Sequence, residues 1–137
     1  MTHNPASSAL DHIRVLDLTR VRSGPPCVRH LADCGADAIK IEMPAILEPH
    51  VALGAGRATS DFQNLHRNKR SLTLNLKDPE GHAVFMKLAQ TADVVVENFR
   101  PDVKNRLGID YESLAPGNPR IILASISGFG QDGPSPK

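Results

Sequence analysis

Apolar residues along the chain alternate between short continuous runs and longer stretches of helical period. The run IRVLDLT (13–19) is aliphatic and ends at Arg20, which predicts a strand feeding a loop. Gly24-Pro25 opens a helix, because a first-turn proline lacks only an N–H that would have no intrahelical partner. Cys27, Val28, Leu31 and Cys34 supply its apolar stripe, and Gly35 ends it. AIKIE (38–42) is a second strand, stopped at Pro44, so the first forty residues read as a βαβ unit. Residues 44–66, with prolines at 44 and 49 and glycines at 54 and 56, read as a long functional loop with short helical pieces. SLTLNL (71–76) alternates, with Leu72, Leu74 and Leu76 on one face, as a half-buried strand does. Asp78-Pro79-Glu80 starts a helix that carries Val84, Phe85, Leu88, Ala89 and Ala92 and ends near Thr91. DVVVENF (93–99) and RIILASIS (120–127) are continuous apolar runs, and residues 102–116 between them hold two short helices divided at Gly108.

Strands alternating with helices, several of them apolar on both faces, predict an α/β fold: an open parallel sheet with helices on both faces. The first dozen residues read as a flexible tail and 13–137 as one domain. Such sheets bind ligands beyond the C-terminal ends of their strands, which directs attention to 20–24, 42–44, 75–77, 97–100 and 127–130. Composition narrows the function. With 16 Lys plus Arg against 15 Asp plus Glu the formal net charge is +1, so a dedicated nucleic-acid binder is not expected. No apolar run is long enough to cross a bilayer, and MTHNPASSALDH lacks the basic and greasy halves of an export signal, so a cytoplasmic location is expected. Cys27 and Cys34 lie about 10 Å apart along a helix, too far to bridge, and are expected as free thiols on one buried face. The six histidines show no ligand spacing, so no metal site is expected and all are read as surface or incidental residues.

Charge by position is more informative than net charge. Phe62 to Lys77 contains Arg67, Lys69, Arg70 and Lys77 and no acid, and Arg100, Lys104 and Arg106 follow a strand end. Brought together, these would hold a polyanionic small ligand, with arginine forks suited to phosphate oxygens. The first βα turn, LTRVRSGP, has only Gly24, a poor pyrophosphate cradle, although Glu42 stands 18 positions later, where dinucleotide folds place a ribose-binding acid. Asp17 is read as a strand-end hydrogen-bonding residue. GFGQDGPSPK (128–137) fits either a glycine-rich active-site loop or a plain turn.

IRVLDLTRVRSGP (13–25), LADCGADAIKIE (31–42), NKRSLTLNLKDPEG (68–81), ADVVVENFRP (92–101), Arg106-Leu107-Gly108 and NPRIILASISGFGQDGP (118–134) together resemble the N-terminal part of family III CoA-transferases. That group contains formyl-CoA transferase, carnitine CoA-transferase and the α-methylacyl-CoA racemases. The resemblance implies a Rossmann-like domain with coenzyme A along the strand ends, contacted by Arg22, Ser23, Leu74, Asn75, Lys77, Asn98, Phe99, Arg100 and Arg106. It also implies acyl-CoA and a carboxylic acid as substrates, no tightly bound cofactor, no membrane or nucleic-acid partner, and an interlocked homodimer. Arg22 stands where formyl-CoA transferase has a glutamine that helps shape the acyl site, which argues against formyl-CoA specificity, and Met43 stands where it has an arginine, which removes one expected adenine or phosphate contact. Family members are several-fold longer and carry their nucleophilic aspartate, or the racemases' proton-transfer pair, beyond the GFG segment. The chain therefore reads as a truncated CoA-binding portion without a catalytic residue of its own, Asp132 coming too early in the motif order.

Overall fold

The computed structural model describes residues 7–47 and 57–132. Five strands, β1 (Arg14–Asp17), β2 (Asp37–Glu42), β3 (Arg70–Thr73), β4 (Val94–Glu97) and β5 (Ile122–Ser125), form one sheet in the order β3-β2-β1-β4-β5. Every pairing is parallel. The helices are α1 (Gly24–Asp33), α2 (Ser60–His66), α3 (Pro79–Ala89), α4 (Pro101–Arg106) and α5 (Tyr111–Leu114), with a 3-10 turn at Ala45–Leu47. The fold is the expected Rossmann-like α/β arrangement, and the strand order reverses direction between β1 and β4.

Alternation along the strands feeds two cores. Leu16 and Val95 point into a cluster with Phe85 and Ala89 of α3, Ile109 of the loop after α4 and Leu114 of α5. Val15 and Val96 point the other way, against Val28 and Ala32 of α1. Both faces of the sheet are thereby covered, which is why the middle residues of β1 and β4 are apolar on both sides. Leu72, Leu74 and Leu76 pack on the first cluster as their alternation predicts.

The strands are shorter than the apolar runs that predict them, for a local reason. At the end of β1 the Thr19 N–H turns back to Asp17 Oδ1 at 2.9 Å, and at the end of β4 the Phe99 N–H turns back to Glu97 Oε2 at 2.7 Å. A side-chain acceptor two residues back takes the ladder's donor and ends the strand. Helix starts follow the sequence closely: Asp78 accepts from the Glu80 N–H at 2.9 Å, and Asp110 accepts from the Ser113 N–H at 3.0 Å.

Two expectations are corrected. Cys27 and Cys34 are free thiols but exposed. They do share a face of α1, yet at about 100° per residue it is turned roughly 120° away from the stripe of Gly24, Pro25, Val28 and Ala32 that is buried. Of the expected tail, residues 1–6 lie outside the described residues, whereas 9–12 form turns that are tied down: the Leu10 N–H donates to Cys34 O at 3.0 Å, and Leu10 packs on the second core. In the irregular stretch 44–66, residues 48–56 lie outside the described residues, as do 133–137 of the terminal glycine-rich segment.

The entry of α1 depends on close approach. A Cβ on Gly24 would overlap the Thr19 side chain, so nothing larger than glycine lets the helix start against the end of β1. Gly24→Ala should therefore destabilise the fold by about 1–3 kcal/mol in urea unfolding. Gly128→Ala, where a Cβ meets nothing within 4 Å, should leave the midpoint nearly unchanged.

Candidate functional site

The ligand end of the sheet rests on a buried polar network. Parallel register sets Asp17 beside Lys40. The Asp17 carboxylate accepts from Lys69 Nζ at 2.7 Å, with the two side chains 0% and 1% exposed. Lys69 also donates to Pro25 O at 3.0 Å and lies 3.3 Å from His66 Nδ1, so its three N–H donors meet three acceptors. Lys40 Nζ donates to Thr19 O at 2.6 Å. Burial holds both Lys40 and Lys69 below the ordinary lysine range, against the attraction of Asp17. Burial first, then the neighbouring ammonium groups of Lys69 and Lys40, lowers His66 to about 4. The neutral ring is the form whose Nδ1 can accept from Lys69.

Above this base the loops after β1 and β4 are joined. The Asn98 side chain accepts from the Arg20 N–H at 2.8 Å and donates to Arg20 O at 2.7 Å. The next residue, Val21, has φ 64°, a left-handed conformation that a β-branched side chain resists and that persists where its surroundings hold it. A cleft of about 460 Å³ opens beside this link, lined by Ser23 at the start of α1, Asn98–Pro101 after β4 and Ile126–Gly130 after β5. It lies at the reversal of strand order, where open α/β sheets take their ligands. Lys104 of α4 braces the far wall, donating to Ser125 Oγ at 3.0 Å and Gln131 Oε1 at 2.6 Å, with the buried Glu97 Oε1 at 3.5 Å. Phe129, 83% exposed, stands on the rim.

Of the residues singled out from the sequence, the cleft brings together Ser23, Asn98, Phe99 and Arg100. Asn98 has its side chain committed to Arg20, and Phe99 is half-buried against the first core. The Arg22 guanidinium is turned to Asp61 of α2 at 3.1 Å. Leu74, Asn75 and Lys77 lie at the end of β3, three strand spacings or about 14 Å across the sheet from β4. Arg106, six residues past Arg100, lies about 9 Å along α4. The residues therefore do not all enter one pocket. Lys77, Arg100 and Arg106 are exposed, and their side chains have no hydrogen-bond or ion-pair partner among the described residues.

The remaining cations of the two basic groups are corrected. Arg67 pairs with Asp33 at 2.7 Å, Lys69 with Asp17, and Arg70 with Asp37 at 2.6 Å, while Lys104 is enclosed by Glu97, Ser125 and Gln131. The Arg67 hydrogen bond holds Asp33 below the usual carboxylate range. For Asp37 burial pushes upward, and the hydrogen bonds from Arg70 and Arg14 outweigh it. His66, read as incidental, belongs to the buried network; its spacing of three from Lys69 was the available signal. No group of three or more His, Cys, Asp or Glu suited to a metal ion occurs among the described residues, and no helix there is long and apolar enough to cross a membrane.

Sheet order and cleft together define a Rossmann-like domain with its ligand end at the β1/β4 reversal. Residues 10–137 match the model of CoA-transferase family III, and the chain belongs to that family. It is 44% identical over 136 residues to the formyl-CoA:oxalate CoA-transferase of Rhodopseudomonas palustris strain TIE-1, covering 90% of this chain and 30% of the relative. To the acetyl-CoA:oxalate CoA-transferase of Acetobacter aceti it is 47% identical over 126 residues, with 90% and 32% covered. The crystal structure of Rv3272 from M. tuberculosis superposes with a TM-score of 0.82 at 36% identity, covering 96% of this chain and 36% of that one. The chain thus spans about a third of the length of the curated relatives it matches.

The histidine gives the site a pH signature. His66 titrates near 4 in the fold against an ordinary 6.5, so the unfolded chain takes up a proton first as pH falls. Its contribution is complete above about 6.5 and is lost on descending to about 4; allowing for the solvent that reaches a half-buried ring, the loss is about 1–2 kcal/mol. Asp33 and Asp37 act below this window, because their pKa values lie under 3.8. Thermal melts from pH 7 to 4 should show stability falling in the natural chain and a flatter profile for His66→Gln, whose amide oxygen can still accept from Lys69.

Proposed function

We propose that these 137 residues form the coenzyme A-binding N-terminal part of a CoA-transferase that moves coenzyme A from an acyl-CoA to a carboxylic acid. The observation that carries this reading is the cleft at the β1/β4 reversal, with the guanidinium of Arg100, unpartnered among the described residues, on its wall. Coenzyme A offers a pyrophosphate, a ribose phosphate and an adenine at one end and a thiol at the other. Such a ligand needs an elongated track with cations spaced along it, and Lys77 after β3, Arg100 after β4 and Arg106 at the end of α4 are separated cations that could serve it.

In the reaction so assigned, a carboxylate oxygen attacks the thioester carbonyl, the carbon–sulfur bond breaks, and coenzyme A leaves as its thiolate, giving an enzyme-bound acyl anhydride. The attacking aspartate lies outside these residues; the present chain holds the carrier and orients the thioester. Ser23 and the Asn98–Arg100 segment face the cleft, and Asn98 keeps the two loops in register. The oxalate-using transferases among the relatives support transfer over racemisation as the parent chemistry. The parent enzyme is read as an interlocked homodimer, and a non-catalytic nucleotide-binding module describes the chain acting alone.

Titration calorimetry of the chain with coenzyme A should give saturable binding, weakened at least about tenfold by Arg100→Ala with an unchanged melting temperature. Acetyl-CoA mixed with oxalate and the chain should show no exchange above background. Measurable exchange would overturn the assignment of the nucleophile to residues outside this chain, and absence of coenzyme A binding would overturn the function.

A further inference from the structure

The ligand end of the sheet holds a second buried carboxylate, on the face opposite Asp17. Val95 and Leu123 pack on the first core, and two residues further along each strand alternation returns Glu97 and Ser125 to that face, where parallel register sets them side by side. Lys104 reaches them from α4. Its ammonium donates to Ser125 Oγ at 3.0 Å and to Gln131 Oε1 at 2.6 Å, and stands 3.5 Å from Glu97 Oε1. The other oxygen of Glu97 accepts from the Phe99 N–H at 2.7 Å. One ammonium therefore links the Asn98–Pro101 wall of the cleft, through Glu97, to the end of the Ile126–Gly130 wall, through Gln131. Neither Lys104 nor Gln131 is among the described residues that line the cleft, so both act from behind it.

The two buried networks differ in how completely they are filled. Lys69 meets the Asp17 carboxylate at 2.7 Å and has an acceptor for each of its three donors. Lys104 gives its shortest bond to a neutral amide, while the fully buried Glu97 Oε1 lies beyond the roughly 2.7–2.9 Å of a charge-assisted hydrogen bond. Glu97 Oε1 and Gln131 Nε2 are both buried and have no hydrogen-bond partner among the described residues. Leaving a buried carboxylate oxygen unfilled is costly, and an ammonium placed only to stabilise the core would settle on it. Lys104 instead holds the residue that follows Gly128–Gly130, a segment with an exposed Phe129 and no core contact of its own given by its side chains.

We propose that Lys104 is a positioning residue for coenzyme A. Acting through Gln131, it fixes the Gly128–Gly130 tip at a set height across the cleft from Asn98–Arg100, and the ligand then binds without having to order that wall itself. The role rests on the coenzyme A reading above and adds to it two residues that do not touch the ligand. Ordering the tip in advance removes a conformational cost from binding, which is how a group outside the cleft raises affinity.

Gln131→Met removes the acceptor and leaves Lys104 and Glu97 in place. By titration calorimetry it should weaken coenzyme A about tenfold with little change in melting temperature. Lys104→Met should weaken it to a similar degree, and the double variant no further than either alone, because both act through one link. Lys104→Met also strands Glu97 without a counter-charge, so if that variant does not fold, Gln131→Met carries the test. In the ligand-free chain, 15N relaxation should show the order parameters of the Gly130 and Gln131 amides falling in Gln131→Met from the rigid-backbone range of about 0.85 to below about 0.6. An ammonium that serves only to neutralise Glu97 would leave Gln131→Met with natural affinity and a natural order parameter, and either result overturns the proposal, as do losses that add in the double variant. Equal binding of coenzyme A by the natural and Gln131→Met chains overturns this role and leaves the coenzyme A reading standing. No binding by the natural chain overturns the reading and the role together.

Discussion

The buried ion pair of Lys69 with Asp17 is the constraint around which the ligand end of the molecule is built. A carboxylate with no solvent contact is tolerable only when its charge is met and its lone pairs are filled, and removing one partner of such a pair destabilises by several kcal/mol. Here the partner comes from the residue that precedes β3, so the ammonium ties that segment to the end of β1, two strands away. The same ammonium holds Pro25 O at the start of α1, and the same carboxylate turns Thr19 back out of the ladder. One interaction thus ends the first strand, sets the entry of the first helix against Gly24, and fixes the floor beneath the loop that carries Arg22 and Ser23.

The architecture was legible because it is written locally. Val15 and Leu16 alternate between two cores, Asp78 caps the helix it precedes, and Gly108 separates two short helices as its place between apolar clusters implies. The distribution of charge was not legible in the same way. Arg67, Lys69 and Arg70 form a basic run in sequence, but each meets an acid more than 30 positions earlier, at the end of α1 or on β1 and β2. A one-dimensional reading sees the cations together and their partners scattered, and so overstates the free positive charge. The cysteines illustrate a further limit: a spacing of seven establishes that two residues share a helical face and leaves open which face the protein buries.

Folding also separates the cations that do remain free from those that do not. Arg100 and Arg106 flank α4, and Lys77 follows β3, each at a strand or helix end where the backbone leaves the packed layers. Lys104, between the two arginines in sequence, faces inward and joins α4 to Glu97, Ser125 and Gln131. Neighbouring lysine and arginine positions therefore divide between bracing the scaffold and facing solvent according to which side of a short helix they occupy, a distinction of about 100° per residue.

The double hydrogen bond between the Asn98 amide and the Arg20 backbone also determines how the cleft can accommodate guests of different bulk. It welds the walls contributed by β1 and β4 into a single unyielding jaw. The opposing jaw is secured at its base by Lys104 through Gln131, which leaves a three-residue tip, Gly128 to Gly130, without a side-chain tether among the described residues. Any adjustment to the size of a guest thus falls to that tip and to the phenyl ring it bears.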